Sequence, residues 1–139
     1  MTTNNKIELM APAGNFESLQ AALDNGCDSV YFGVEQLNMR ARASVNFTMD
    51  DLAEIAKRWE AKNVRSYLTL NTIIYDHDLS VVKTLINKAK EANITAVIAS
   101  DQAVIAMARS VGMEVHISTQ LNVTNIETIK FYSLFADTM

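Results

Sequence analysis

The stretch TAVIASDQAVIAMARSVGMEVHIS, residues 95–118, decides the fold. Thr95 to Ala99 is a short β-rich run. Val104, Met107, Ala108 and Val111 then recur at helical spacing and define one apolar face. Gly112 stops the helix, because glycine tolerates the left-handed conformation of a helix C-terminus. Glu114 to Ser118 is a second β-rich run. A strand, a helix and a strand with no hairpin signal between them imply parallel strands joined by a helical crossover.

The same pattern continues on both sides. Lys6 to Met10 reads as the first strand, and the turn Pro12-Ala13-Gly14-Asn15 leads into a helix capped by Asn15, with Phe16, Leu19 and Leu23 on its apolar face. Asn25 and Gly26 end it. Ser29 to Phe32 is the second strand, followed by a long loop, Gly33 to Phe47, of a length that suggests function. Thr48 with Asp51 resembles a capping box for a helix carrying Leu52, Ile55, Ala56 and Trp59. Val64 to Leu70 is the third strand, and Asp78 caps a helix with Val82, Leu85, Ile86 and Ala89 on one face. A last helix runs from about Asn125 to Phe135. Five β-α units with short apolar strands fit either a partial TIM-type (β/α) barrel or a doubly wound open sheet. The loop after the first strand holds only Gly14, so the glycine-rich dinucleotide fingerprint is absent. The expected architecture is one domain over residues 1–139, with strand order 1-2-3-4-5 rather than 2-1-3-4-5, forming the N-terminal part of a barrel that continues in a longer protein.

Hydrophobic residues make up 49% and charged residues 20%, the balance of a globular protein rather than a disordered one. No apolar run reaches the roughly 18 residues of a membrane helix, and the N-terminus lacks a signal-like apolar segment. The expected location is the cytoplasm, with no membrane partner. The one cysteine, Cys27, has no partner for an internal disulfide. A net charge of −4 removes the usual electrostatic argument for nucleic acid, so an RNA contact needs a local basic patch. Arg40 with Arg42 is the best candidate.

Several segments, in order, resemble one family. They are Glu8 to Asn15, Asp28 to Gly33, Met39 to Ala43, Asn46 to Thr48, Thr69 to Thr72, Ala99 to Asp101 and His116 to Asn122. Together they look like the N-terminal barrel segment of the peptidase U32 (collagenase-like protease) family. The resemblance implies a peptide or RNA substrate, because family members are classed as collagenase-like proteases or linked to oxygen-independent hydroxylation of RNA bases or quinone precursors. It also implies an iron–sulfur cluster in some full-length members, held by cysteines beyond this region. For this chain the expectation is no cofactor, a contribution of substrate-binding loops, and no activity in isolation. The rival reading is a non-catalytic binding or assembly module.

In parallel barrels, ligands meet the C-terminal ends of the strands. That rule selects Asn15, Arg40, Arg42, Asn71, Ser100, Asp101, Gln120 and Asn122. Arg40 and Arg42 could clamp a carboxylate or phosphate, or serve only as a solvated loop. Asn71 can donate and accept at once, or cap the turn that follows. His116, Ser118 and Gln120 alternate along the fifth strand and share a face. If that face points inward they line a polar site, with His116 as acid, base or ligand; the alternative is a hydrogen-bonded core histidine. Asp101 suits either a ligand contact or a helix cap. The substrate-binding set is therefore Arg40, Arg42, Asn71, His116, Gln120 and Asn122. Asp76-His77-Asp78 is a poor metal cluster, because consecutive side chains do not converge on one ion. No serine-nucleophile elbow or Cys-x-x-Cys pair is present. An unclosed barrel exposes its edge strands, so self-association through residues 6–10 and 114–118 is expected.

Overall fold

The computed structural model describes residues 7–34, 37 and 47–139. Its five strands are β1 (Met10–Pro12), β2 (Ser29–Phe32), β3 (Arg65–Leu70), β4 (Ala96–Ala99) and β5 (Glu114–Ile117). They alternate with five helices: α1 (Phe16–Asp24), α2 (Leu52–Glu60), α3 (Leu79–Glu91), α4 (Gln102–Ser110) and α5 (Ile126–Tyr132). All four strand pairings are parallel, in the order β1-β2-β3-β4-β5. Neighbour-to-neighbour crossovers of one hand build the wall of a barrel. The doubly wound order is excluded.

Strand alternation divides the sheet into two faces. One row, Phe32–Leu68–Val97–Val115, runs in register across four strands and packs against the helices. Leu68, Val97 and Val115 are wholly buried there. Trp59 of α2 lies with its ring 5.3 Å from that of Phe32. Phe47, at the end of the long loop, packs edge-on against Phe16 at 5.2 Å and Phe32 at 5.9 Å. The opposite face carries the rows Pro12–Tyr31–Tyr67–Ala96–Glu114 and Thr69–Ile98–His116, and is markedly more polar.

The local signals act largely as the sequence suggests. Asn15 Oδ1 accepts from the Ser18 amide at 2.8 Å, and Ser18 Oγ accepts in turn from the Asn15 amide. Asp51 accepts from both the amide and the hydroxyl of Thr48. Gly26 and Gly112 take positive φ (77° and 68°) after α1 and α4. Asp78 differs from expectation. Its carboxylate accepts from the Tyr75 amide at 2.9 Å, closing a 3₁₀ turn over Asp76–Asp78 before α3 rather than capping α3 itself.

The first strand also differs. It was expected at Lys6–Met10; Lys6 lies outside the described residues, and among the described ones the pairing with β2 spans Met10–Pro12. The physical reason is proline geometry. The Ala13 amide donates to Tyr31, so the intervening Pro12 nitrogen faces the outer edge, where no described strand needs its donor. The other expected edge is not bare. Asp137 and Thr138 return after α5 and bond to Val115 and Ile117, with Thr138 bridging His116 in parallel. Residues 137–138 thus begin a sixth position in the same sheet order.

Candidate functional site

A cleft of about 510 Å³ opens at the C-terminal ends of β3–β5, on the polar face of the sheet. Its lining includes Met10, Tyr31, Thr69, Asn71, Ile98, His116, Ser118, Thr119, Gln120 and Thr138. The pleat explains the convergence. Thr69, Ile98 and His116 stand in one register row, and Asn71 and Ser118 stand one step further towards the rim. Asn71 Nδ2 donates to Ser118 Oγ at 3.2 Å across the mouth. Three of the six residues of the substrate-binding set, Asn71, His116 and Gln120, meet in this cleft, together with Ser118 from the same strand face. Asn122 lies outside its lining, with left-handed backbone (φ 48°) and its amide directed to the Gln120 carbonyl. Arg40 and Arg42 lie outside the described residues. Asn15 and Asp101 act as helix caps, Asp101 accepting from the Ala103 amide at 2.8 Å.

Sequence reasoning missed Thr69, Tyr31 and Ile98. The signal was present for Thr69. Arg65, Tyr67 and Thr69 alternate with Ser66, Leu68 and Leu70, and the first set faces inward. Thr69 is 8% exposed, and its hydroxyl has no hydrogen-bond partner among the described residues. His116 is 9% exposed, and its Nε2 lies 2.8 Å from Glu114 Oε1.

Beneath the cleft lies a charged cluster. Glu8 pairs with Arg65 and accepts from the Tyr67 hydroxyl at 2.6 Å. Burial pushes the Glu8 carboxyl up, but the hydroxyls of Ser29 and Tyr67 and the charge of Arg65 outweigh it, so the net shift is down. Burial and the adjacent Glu8 carboxylate push the Tyr67 phenol up to about 12. The Tyr67 and His116 rings lie 4.7 Å apart, linking this cluster to the cleft floor.

Cys27 is buried just before β2, at the end of the sheet opposite the cleft, and burial pushes its thiol up. Among the described residues, no group of three or more His, Cys, Asp or Glu side chains is placed to hold a metal ion. One buried cysteine does not match the several thiolates an iron–sulfur cluster requires. His77 is exposed and stacks on Tyr75.

The fold and this site define the wall of a parallel β/α barrel with a polar cleft at its C-terminal rim. A family model described as Peptidase family U32 matches residues 14–136, and the chain belongs to that family. A collagenase of Porphyromonas gingivalis is 54% identical over 133 residues, covering 96% of this chain and 32% of that protein. The tRNA hydroxylation protein P1 of Bacillus subtilis is 33% identical, covering 91% and 30%. The 23S rRNA 5-hydroxycytidine C2501 synthase of Escherichia coli is 28% identical, covering 94% and 20%. The solved structure of a U32 peptidase superimposes with a TM-score of 0.76 over 99% of this chain and 59% of that one, at 13% identity. This chain spans about a third of the length of the collagenase it matches.

Proposed function

We propose that this chain supplies the substrate-recognition wall of a U32-family enzyme acting on RNA bases in the cytoplasm, with the remaining catalytic groups outside these 139 residues. The observation that carries this reading is the cleft's lining. Thr69, Asn71, His116, Ser118 and Gln120 offer hydrogen-bond donors and acceptors around the apolar side chain of Ile98. A concave pocket with an apolar patch among polar groups suits a base turned out of its stack. The kinship with tRNA and rRNA hydroxylation proteins supports the same reading. An iron–sulfur cluster belongs to it only if other parts of the protein hold one. No helix among the described residues is long and apolar enough to cross a membrane.

A second reading, peptide hydrolysis, is favoured by the 54% identity to a collagenase. The expectation for the 139-residue chain alone is no turnover under either reading. Mass spectrometry of nucleosides from tRNA and rRNA, in cells with and without the gene, tests the choice. Loss of a hydroxylated nucleoside, restored by the wild-type gene, supports the RNA reading. Unchanged nucleosides, together with gelatin cleavage by the purified intact protein, would replace it with the peptidase reading.

A further inference from the structure

A second concavity, of about 300 Å³, runs between α4 and α5, away from the polar cleft. Ile105, Ala106 and Arg109 of α4 form one bank, and Phe131, Tyr132 and the following Phe135 form the other. The aromatic bank is already assembled. The Phe131 ring meets Tyr132 edge-on at 5.2 Å and lies 5.5 Å from Phe135. Phe131 is nevertheless 55% exposed and Phe135 41%. A groove of this kind, with two phenyl rings in water, marks a contact surface. Further barrel units do not reach it. α4 and α5 are consecutive and already share the groove, while the sheet extends beyond β5 through residues 137–138. A next helix would meet the other flank of α5. At about 100° per residue that flank carries Ile126, Ile129 and Ser133, whereas Phe131 and Phe135 turn towards α4.

We infer that a second copy of this chain occupies the groove, with the two α5 helices antiparallel about a two-fold axis at Phe131. Charge selects this occupant and this orientation. Arg109 is the one charged side chain in the lining, near the C-terminal end of α4, and pairs at 3.5 Å with the half-exposed Asp137. Glu127 stands at the other end, in the first turn of α5, exposed and bonded to Lys130 at 2.7 Å. Both helices follow parallel strands and run the same way, so the groove has a cationic end and α5 an anionic one. Antiparallel pairing lays each Phe131 ring in the other copy's groove and brings each Glu127, one turn from Phe131, beside the partner's Arg109. The contact is self-complementary and closes as a dimer. A parallel pairing would set like charges against each other. The exposed rings supply less than the roughly 800 Å² per partner of a standard interface, so the dimer is a weak one, formed at micromolar protein. The inference holds for either substrate reading.

The test is sedimentation equilibrium of the intact protein at micromolar concentration. A dimer is expected, and higher salt should weaken it. Phe131→Ser should weaken association about tenfold or more without lowering the melting temperature, since the ring it removes is half in water. Glu127→Arg should weaken it about tenfold, because the two-fold axis repeats the like-charge contact. Arg109→Glu combined with Glu127→Arg should restore it. If Arg109→Glu disturbs folding through Asp137, the Phe131 and Glu127 variants still decide. A monomer at every concentration overturns the inference, as does a dimer indifferent to Phe131→Ser. A dimer indifferent to Glu127→Arg, or a folded double variant that fails to recover, overturns the antiparallel contact. A monomer whose Phe131 is shielded from hydroxyl-radical labelling would assign the groove to another part of the same protein, and also overturns it.

Discussion

Replacing Tyr67 with phenylalanine removes one oxygen from a side chain that is 1% exposed. The hydroxyl donates to Glu8 Oε1 at 2.6 Å, a charge-assisted bond shorter than most neutral ones. A hydrogen bond to a charged group contributes roughly 1.5–3 kcal/mol, so Tyr67→Phe should destabilise by about that amount at neutral pH. Its pH dependence is more specific. The Glu8 carboxyl sits below its ordinary value of 4.5, so it contributes stability that is present above that value and lost as pH falls through the folded-state pKa. The Tyr67 phenol is raised from 10.0 to about 12, so it contributes stability that is complete below pH 10 and lost as pH rises towards 12. Tyr67→Phe should flatten the acid limb and abolish this tyrosine's share of the alkaline limb. Urea unfolding from pH 3 to pH 11 measures both. A loss below about 0.5 kcal/mol with an unaltered pH profile would refute the role assigned to this pair.

Leu68→Ala, at a wholly buried position in the central strand, should cost about 2–5 kcal/mol in urea unfolding; under 1 kcal/mol would mean the helix-facing row is not the core. Asn15→Ala should lower stability by about 0.5–2 kcal/mol and leave nucleoside affinity unchanged, because its side chain caps α1; a change in affinity would return Asn15 to the site. The 139-residue chain should self-associate at micromolar concentration, since no described strand pairs with the outer edge of β1 and Ile126, Ile129, Phe131 and Leu134 are exposed on and just after α5. Light scattering that finds only a 15.4 kDa monomer would contradict this.

Much of this architecture is legible in the sequence alone. Period-2 and period-3.6 patterns are local consequences of chain geometry, so the β-α alternation could be read directly, and so could the caps at Asn15, Thr48 and Asp101. His116, Ser118 and Gln120 could be assigned a common face because alternation within one strand needs no neighbour. Placing Thr69 and Asn71 beside them required the register Thr69↔Ile98↔His116, a relation between segments 29 and 18 residues apart that no local pattern encodes. Only tertiary structure also showed that Thr69 lacks a partner among the described residues while Asn15 and Asp101 have theirs, since satisfaction depends on what surrounds a group. The first strand shifted from Lys6–Met10 to Met10–Pro12 for the same reason. An apolar run marks a strand, but the neighbouring backbone decides which of its amides are bonded, and hence that a proline can occupy the edge.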